Sequence, residues 1–387
     1  MACEDGVTLG VEEEFLLLGP AGVSVPAAAR VLARAREQSS IAPHISLQME
    51  MLATQVEAAT GVCTTLQELR EHLRDGRRLL GSAAETEGLL LVSTGTPVLH
   101  HRDPPFAEGE RYARIAAMYT VVAADYEVSG CHVHVGVADA ETRVAVLNHL
   151  RPWLPTLVAL SANSPFSRGR DTGYVSWRML EQARFPGSGI PPWFPSAAAY
   201  DREVDRLVTC GVIADTAMSF WLGRLSSHLP TVEVRAADAV VTSDEAVLQA
   251  ALTRGLVRAA LGDLALGREA PRLDGQMCAA AVWSAARYGL TGPAVDPVRE
   301  RRVPAGQMLD ALMERIGPAL AETGDLVETR RLLAQVIQHG TGAERQRRAS
   351  VKGLHAVLDL LARQAWERAD QEPGDRAGRQ KRTQQSG

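Results

Sequence analysis

Hydrophobic and polar positions alternate over short stretches of the chain, and this period of two predicts β-strands. A turn at Gly19–Gly22 ("GPAG") ends the first predicted strand, and a Pro-rich loop through Phe106 follows the third. A long loop rich in Gly, Pro and Arg spans Asn163–Pro195. The predicted strands are Thr8–Leu18, the "ATQVEAAT" portion of Leu47–Thr60, Leu89–Thr94, Val128–Val137 and Thr231–Val234.

Apolar residues that recur every three to four positions predict helices elsewhere in the chain. The segment Thr242–Leu261 has Thr242 or Ser243 as its N-cap, with Asp244 and Glu245 in its first turn, where acidic residues favour a helix start. The other predicted helices are Leu66–Ala84, Asp139–Leu150, Leu154–Ala162 and Ala197–Cys210, and the pattern is helical throughout from Ala305.

Irregular alternation of strands and helices predicts an α+β fold with a mostly antiparallel sheet and a helical C-terminal part. We find no internal repeat, and we expect one composite domain over residues 1–367. Residues 368–387 lack the apolar side chains that a packed core needs, which predicts a disordered tail.

Composition narrows the classes of partner. A net charge of −5 gives no electrostatic reason to expect a nucleic acid. No apolar run approaches the roughly 20 residues of a membrane helix, and Met1–Gly6 does not resemble a signal peptide. The five scattered cysteines fit a reduced cytoplasm better than a disulfide framework. Small-molecule substrates are therefore the expected partners, and a homo-oligomer is left open.

Lysine occurs only at Lys352 and Lys381, so the chain has no Gly-rich phosphate loop ending in Lys-Ser or Lys-Thr. If the protein handles phosphate, arginines and metal ions must bind it. Strands that carry acidic residues, histidine or arginine are therefore the candidates for such a site.

The segment "GVEEEFLLL" places three consecutive carboxylates inside an apolar strand. Because side chains alternate along a strand, Glu12 and Glu14 share one face, whereas Glu13 lies on the other with Val11 and Phe15. Two carboxylates on one face are a natural beginning for a divalent-metal site. The alternative is an edge strand with a solvated acidic stripe.

Three further strands carry polar pairs. An isolated pair of this kind is usually structural, as hydrogen-bonded histidines or a same-face ion pair. Four such strands in one protein favour a shared site of metal and phosphate chemistry. The pairs are His132 and His134 in "SGCHVHVGV", Glu233 and Arg235 in "TVEVRAAD", and Glu50 and Glu57 in "EMLATQVEAAT".

Six segments, in order along the chain, resemble the signature segments of the carboxylate–amine ligases, also called the glutamate–cysteine ligase type 2 family. They are "GVEEEFLLL", "SGCHVHVGV", "LSANSPFSRGRDTGYVSWR", "TVEVRAADAV", "WSAARYGL" and "GTGAERQR". The resemblance implies a glutamine-synthetase-like fold, in which a curved antiparallel sheet is backed by helices. It also implies ATP with Mg²⁺ or Mn²⁺, a phosphorylated carboxylate, and attack of an amine on the acyl phosphate, nominally joining glutamate to cysteine.

The resemblance also assigns residues. Arg235 and Glu57 would be catalytic, and Arg235, Arg224 and Arg170 would bind the nucleotide. Substrate would contact His134, Asn163, Arg170 and Asp171, although turn chemistry explains Asn163 and Asp171 nearly as well. The implied metal ligands are Glu12, Glu14, Glu50, Glu57, His132 and Glu233.

Two other hypotheses remain from the residues alone. A metal-dependent hydrolase of amides or phosphate esters could use the same carboxylates and His132 to activate water. A non-catalytic binding protein on the same fold is the other, and the intact set of candidate ligands argues against it. The true carboxylate and amine are not set by the sequence.

Overall fold

The computed structural model describes residues 5–38, 40, 42–100 and 103–366. The predicted tail over residues 368–387 lies outside the described residues. The strands are β1 (Leu9–Leu18), β2 (Ser46–Met49), β3 (Gln55–Ala59), β4 (Leu90–Val92), β5 (Gly130–Gly136), β6 (Phe166–Ser167), β7 (Arg170–Asp171), β8 (Gly223–Leu225), β9 (Thr231–Asp238), β10 (Pro293–Asp296) and β11 (Arg301–Pro304).

The helices confirm the predicted helical segments, including the C-terminal part from Ala305. The N-cap of the predicted helix at 242–261 is Thr242, whose side chain accepts a hydrogen bond from the Glu245 amide. The helices are α1 (Ala28–Glu37), α2 (Leu66–Thr86), α3 (Glu110–Tyr119), α4 (Val121–Ala124), α5 (Ala140–Leu150), α6 (Leu154–Ser161), α7 (Arg178–Gln182), α8 (Ala197–Thr209), α9 (Ser243–Ala265), α10 (Gly275–Tyr288), α11 (Ala305–Glu322), α12 (Leu326–His339), α13 (Gly342–Ser350) and α14 (Leu354–Ala365).

The main sheet is antiparallel, with strand order β2-β3-β1-β5-β9-β8, and β4 pairs with the end of β1. Its register brings the polar pairs of four strands side by side. Glu14 lies opposite Glu57, Glu12 lies opposite His132, and His134 lies opposite Glu233. The predicted α+β architecture with an antiparallel sheet is confirmed.

Helices cover the sheet face that carries the odd-numbered residues of β1. Phe15 and Leu17 pack in one cluster with apolar residues of α1 and α2, and Val11 packs in a second with residues of α2 and α9. On the other face, Leu16 and Leu18 pack against residues of α14. The run Leu16–Leu18 is therefore buried on both faces, which explains why its apolar residues do not alternate with polar ones.

Several elements differ from the prediction. The segment at 47–60 forms two strands, β2 and β3, and the long loop over 163–195 contains the β6–β7 hairpin and α7. The late strand β9 extends to Asp238 instead of ending at Val234. It tolerates this buried acid because Asp238 accepts hydrogen bonds from the hydroxyls of Ser164 and Ser176.

No helix among the described residues combines the length and the apolar character that crossing a membrane would require. The single composite domain expected over residues 1–367 stays a prediction.

Candidate active site

A cleft of about 440 Å³ opens over the sheet face that carries Glu12 and Glu14. Side chains from β1, β3, β5 and β9 form its floor, and the loop at 217–220 and helix α3 contribute to its walls. His134 and Glu233 adjoin this floor through their contacts with Glu12 and Arg235. The predicted site residues that line the cleft are Glu12, Glu14, Glu50, Glu57, His132, Arg224 and Arg235.

Glu12 lies between two imidazoles. Its Oε2 is 3.3 Å from His132 Nδ1, and its Oε1 is 3.2 Å from His134 Nε2. Burial raises the pKa of Glu12, but the two histidines outweigh burial and bring this pKa well below its usual range. Glu12 is therefore an anion at neutral pH, as a metal-binding carboxylate must be.

Glu14, Glu50 and Glu57 form an acidic group whose ligand oxygens lie within 4.8 Å of one another. Burial and the neighbouring charge of Glu50 raise the pKa of Glu14 to about 8 and that of Glu57 well above its usual range. Glu14 also accepts a hydrogen bond of 2.6 Å from the Gly130 amide. Without a cation, these like charges are relieved by bound protons, which a divalent ion would replace.

The two histidines of β5 are buried: His132 is 2% exposed and His134 is 6% exposed. Burial and the charge of Arg235 lower the pKa of His132 to about 3, so its imidazole is neutral. Burial lowers the pKa of His134, but the carboxylates of Glu12 and Glu233 together bring it to a net value above its usual range. The Nε2 atom of His132 is buried and makes no hydrogen bond with any described residue, which fits a metal ligand, whereas Nε2 of His134 faces Glu12 Oε1 at 3.2 Å.

Two arginines hold Glu233. Arg224 Nε donates to one carboxylate oxygen at 2.7 Å, and Arg235 Nη1 donates to the other at 2.5 Å. Burial raises the pKa of Glu233, but the two guanidinium groups lower it to a net value well below its usual range. Nε of Arg235 and both Nε and Nη1 of Arg178 are buried without a hydrogen-bond partner among the described residues. Arg178 Nη1 also lies 3.9 Å from Asp238 Oδ1, so the Nε atoms of Arg178 and Arg235 are the donors left for an anion in the cleft.

The ligand set fits Mg²⁺ or Mn²⁺, because carboxylate oxygens dominate it and imidazole is the only other donor. Within each of three overlapping groups, the ligand atoms lie within 4.8 Å of one another. The buried Nε2 atom of His132 and the protonated carboxyl groups of Glu14 and Glu57 are the observations that support this fit. The groups are Glu12–Glu57–His132, Glu12–His134–Glu233 and Glu14–Glu50–Glu57.

Glu13 points away from the cleft, as strand alternation predicted. Arg77 of α2 donates to both of its carboxylate oxygens, at 2.5 and 2.9 Å. The same guanidinium donates to the carbonyl oxygens of Val240, Val241 and Ala365. Glu13 therefore belongs to a buried ion pair that joins the sheet to α2 and the C-terminal helix.

The structure does not bring Asn163, Arg170 and Asp171 to the cleft. Asn163 is 1% exposed, and its amide nitrogen donates to the carbonyl oxygens of Ser93 and Ala239 at 3.0 and 2.7 Å. Arg170 and Asp171 are exposed on β7, where Asp171 pairs with Arg347. These three residues therefore do not line the candidate site.

Other lining residues were not assigned a role from the sequence. Arg111 and Tyr112 come from α3, where Tyr112, Ile115, Ala116 and Tyr119 recur at helical spacing, and this stripe was the available signal for the helix. Arg178 lies in the segment "GYVSWR", and that segment was the available signal. The remaining polar residues in this group are Gln48, Gln55, Gln182, Ser219 and His228.

A family model described as glutamate-cysteine ligase family 2 matches residues 8–372. This match spans more than nine tenths of the chain. The chain belongs to glutamate-cysteine ligase family 2. Within the family, it is 57% identical to a protein of Saccharopolyspora erythraea provisionally named glutamate–cysteine ligase 2-2, over 94% of each chain.

Solved structures show the same fold at low sequence identity. The glutamate–cysteine ligase of Francisella tularensis in complex with AMP has a TM-score of 0.69 at 12% identity, covering 92% of this chain and 88% of that one. The ligase of a prokaryotic ubiquitin-like protein, in complex with that protein, has a TM-score of 0.53 at 12% identity, covering 90% and 68%. The expected glutamine-synthetase-like fold of this family member is confirmed.

Proposed function

We propose that this member of glutamate-cysteine ligase family 2 is an ATP-dependent carboxylate–amine ligase. Its nominal reaction joins the γ-carboxylate of glutamate to the amine of cysteine through an acyl phosphate. The observation that carries the proposal is the composition of one sheet face. Carboxylates and histidines that suit metal ions line the same cleft as Arg178 and Arg235, whose unpartnered donors suit phosphate or carboxylate oxygens.

The metal-binding role falls to the acidic side of the cleft. Bound Mg²⁺ or Mn²⁺ would neutralise phosphate charge and stabilise phosphoryl transfer. Glu12 and Glu57 each belong to two of the three ligand groups, so together they link all three. The proposed ligands are Glu12, Glu14, Glu50, Glu57, His132 and Glu233.

The arginines bind and orient the anionic groups. Arg235 lies between Glu233 and His132, with its Nη1 3.2 Å from His132 Nδ1, so its guanidinium is held beside the metal ligands. This position suits a clamp on phosphate or on the substrate carboxylate. Arg224 fixes the carboxylate of Glu233 from the other side. His134, at the edge of the same group, is the proposed contact for substrate.

Support for ATP comes from the family and from the nucleotide named with the Francisella tularensis ligase. No separate observation favours a hydrolase over a ligase. The cytoplasmic location stays a prediction, and a homo-oligomer stays an open alternative.

The proposal is tested by supplying ATP and Mg²⁺ with a panel of amino-acid carboxylates and amines, and measuring ADP release and product mass. We expect ADP only with a matched pair, in step with a product that has lost one water. Glu57→Gln should reduce this turnover at least about a hundredfold, as expected for a lost metal ligand. Glu37→Gln, at an exposed position on α1, is the matched control. Full turnover in excess EDTA would contradict the proposal.

A further inference from the structure

A second, larger cavity of about 670 Å³ adjoins the metal cleft. The short helix α7 forms a wall that the two spaces share. Arg178 of this helix lines the cleft, Met179 lines the cavity, and Gln182 lines both. Helix α10 and the loop at 188–193 contribute most of the remaining wall. The cavity is large enough for a small organic molecule.

The charge of the cavity wall has one sign. Arg151 and Arg272 line it, and the described residues that form the wall include no Asp or Glu. The rest of the wall is mainly apolar or aromatic, including Ile190, Trp193 and Val282. Such a surface suits a ligand that has an apolar body and one negative group.

Three polar atoms of the wall residues have no hydrogen-bond partner among the described residues. Arg151 is 4% exposed and donates from Nε to the Pro191 carbonyl at 2.8 Å, but its Nη1 is buried without a partner. Gln182 is 3% exposed, and its Oε1 is also without a partner. The third atom is the indole nitrogen of Trp193. A buried guanidinium nitrogen without an acceptor costs free energy, which an anionic ligand would recover.

Arg272 is held at the same wall. Its guanidinium carbon lies 3.3 Å from the centroid of the Trp193 ring. This stacking orients a second positive group next to an apolar surface. A carboxylate between Arg151 and Arg272, with its apolar body on Trp193, would satisfy both the charge and the shape of the wall.

We propose that this cavity binds a small carboxylate with an aromatic or branched apolar body, at a site separate from the metal cleft. The anion pairs with Arg151 and Arg272, and Gln182 Oε1 accepts a hydrogen bond where the ligand offers a donor. The proposal does not depend on the ligase reaction, because none of its residues is a proposed metal ligand or phosphate clamp.

The test is calorimetric titration of the full-length protein, in EDTA and without nucleotide, with 3-phenylpropionate as the probe. We expect a dissociation constant of about 1 mM or tighter, in the range of a ligand of this size. The neutral amide of the same acid should bind at least about tenfold more weakly, since it lacks the charge-assisted contacts. Acetate, which lacks the apolar body, should not bind measurably.

Variants locate the bound probe. Ala279 is exposed on α10 and lines the cavity, so Ala279→Trp should place an indole ring in the space and block binding without disturbing the core. Arg272→Gln should weaken binding about tenfold. Arg301→Gln, at an exposed position on β11 outside the wall, is the matched control and should bind as the wild type does.

Ligation by Ala279→Trp with ATP, Mg²⁺ and the preferred substrates should stay at the wild-type rate, which keeps this test separate from that of the proposed function. Absence of heat with 3-phenylpropionate, equal binding of acid and amide, or unchanged binding by Ala279→Trp would each overturn the proposal. Light scattering supplies a further outcome. Loss of an oligomer in Ala279→Trp, together with no probe binding by the wild type, would assign the cavity to a second copy of the chain.

Discussion

Replacing Glu14 by glutamine should stabilise the metal-free protein while abolishing its activity. Burial and the charge of Glu50 raise the pKa of Glu14 to about 8 from an ordinary value of 4.5. At pH 7 the folded protein keeps a proton on this carboxyl group that the unfolded chain has released. The free energy of unfolding therefore falls as pH rises from 4.5 towards 8. Glutamine is neutral at every pH and is close to the protonated carboxyl in shape, so it removes this loss.

The size of the effect follows from the two pKa values. Each pH unit over which the folded state alone holds the proton lowers the free energy of unfolding by about 1.4 kcal/mol. Between 4.5 and pH 7 the loss amounts to about 3 kcal/mol, whereas at pH 5 it is below about 1 kcal/mol. Glu14→Gln should recover these amounts, so its advantage over the wild type should grow with pH.

The assay is urea unfolding of both proteins in EDTA at pH 5, 6, 7 and 8. Saturating Mg²⁺ should then stabilise the wild type and should stabilise Glu14→Gln much less, because one ligand oxygen has lost its charge. ADP release by the variant should be lower by at least about a hundredfold. A variant less stable than the wild type at pH 7, or one whose difference from the wild type does not change with pH, would refute the reasoning.

Three further predictions concern the same sheet. Glu13→Gln should lower the free energy of unfolding by about 3–5 kcal/mol, because it leaves Arg77 as an uncompensated buried charge. At temperatures below the unfolding transition, its kcat should stay near that of the wild type. A loss of kcat as large as that of Glu14→Gln would contradict this prediction. Arg235→Lys should lower kcat/KM about a hundredfold in steady-state kinetics, since a point charge cannot reproduce a two-pronged contact. A much smaller loss of kcat/KM would contradict this role of Arg235. Mg²⁺ binding at pH 7 should release at least about one proton, measured by calorimetry in buffers of different ionisation enthalpy; a binding heat independent of buffer would refute it.

The sheet face on which each glutamate of β1 lies was predictable, because the alternation of side chains along a strand is a local rule. Glu12 and Glu14 share the cleft, and Glu13 lies behind it, as a period of two requires. The partner of Glu13 was not predictable, because Arg77 is 64 residues away in the sequence, although its place between Leu73 and Leu80 on the apolar stripe of α2 indicates that its side chain is buried. Local patterns therefore indicate which way a side chain points but not what it meets.

Helices with small or sparse buried residues escaped prediction for a related reason. Helix α10 buries Cys278, Ala281, Ser284, Ala285 and Ala286, and α1 buries two alanines beside Val31 and Leu32. In α10, alanine and serine give weak hydrophobic contrast, so its helical period is hard to see, whereas the helical spacing of Ala28, Val31, Leu32 and Ala35 in α1 was present in the sequence. This omission mattered for function, because α10 lines the second cavity and α3 supplies Arg111 and Tyr112 to the cleft.

Asn163 shows a different limit of sequence reasoning. A motif can place a polar residue near a site without telling whether it binds substrate or anchors a loop. In the structure its amide nitrogen and oxygen are both used, the oxygen by Gln346 Nε2 at 2.8 Å. This buried hydrogen-bonding role of Asn163 is closer to turn formation than to substrate binding, the two roles that the sequence left open.

Transfer of oxygen from the substrate carboxylate to phosphate tests the central claim most directly. The carboxylate substrate is labelled with ¹⁸O and incubated with ATP, Mg²⁺, the amine and the full-length protein, and the released phosphate is analysed by mass spectrometry. An acyl phosphate passes one carboxylate oxygen to phosphate when the amine displaces it, so we predict one ¹⁸O atom per phosphate and per amide formed. Unlabelled phosphate during amide formation, or amide cleavage that needs no ATP, would contradict the account.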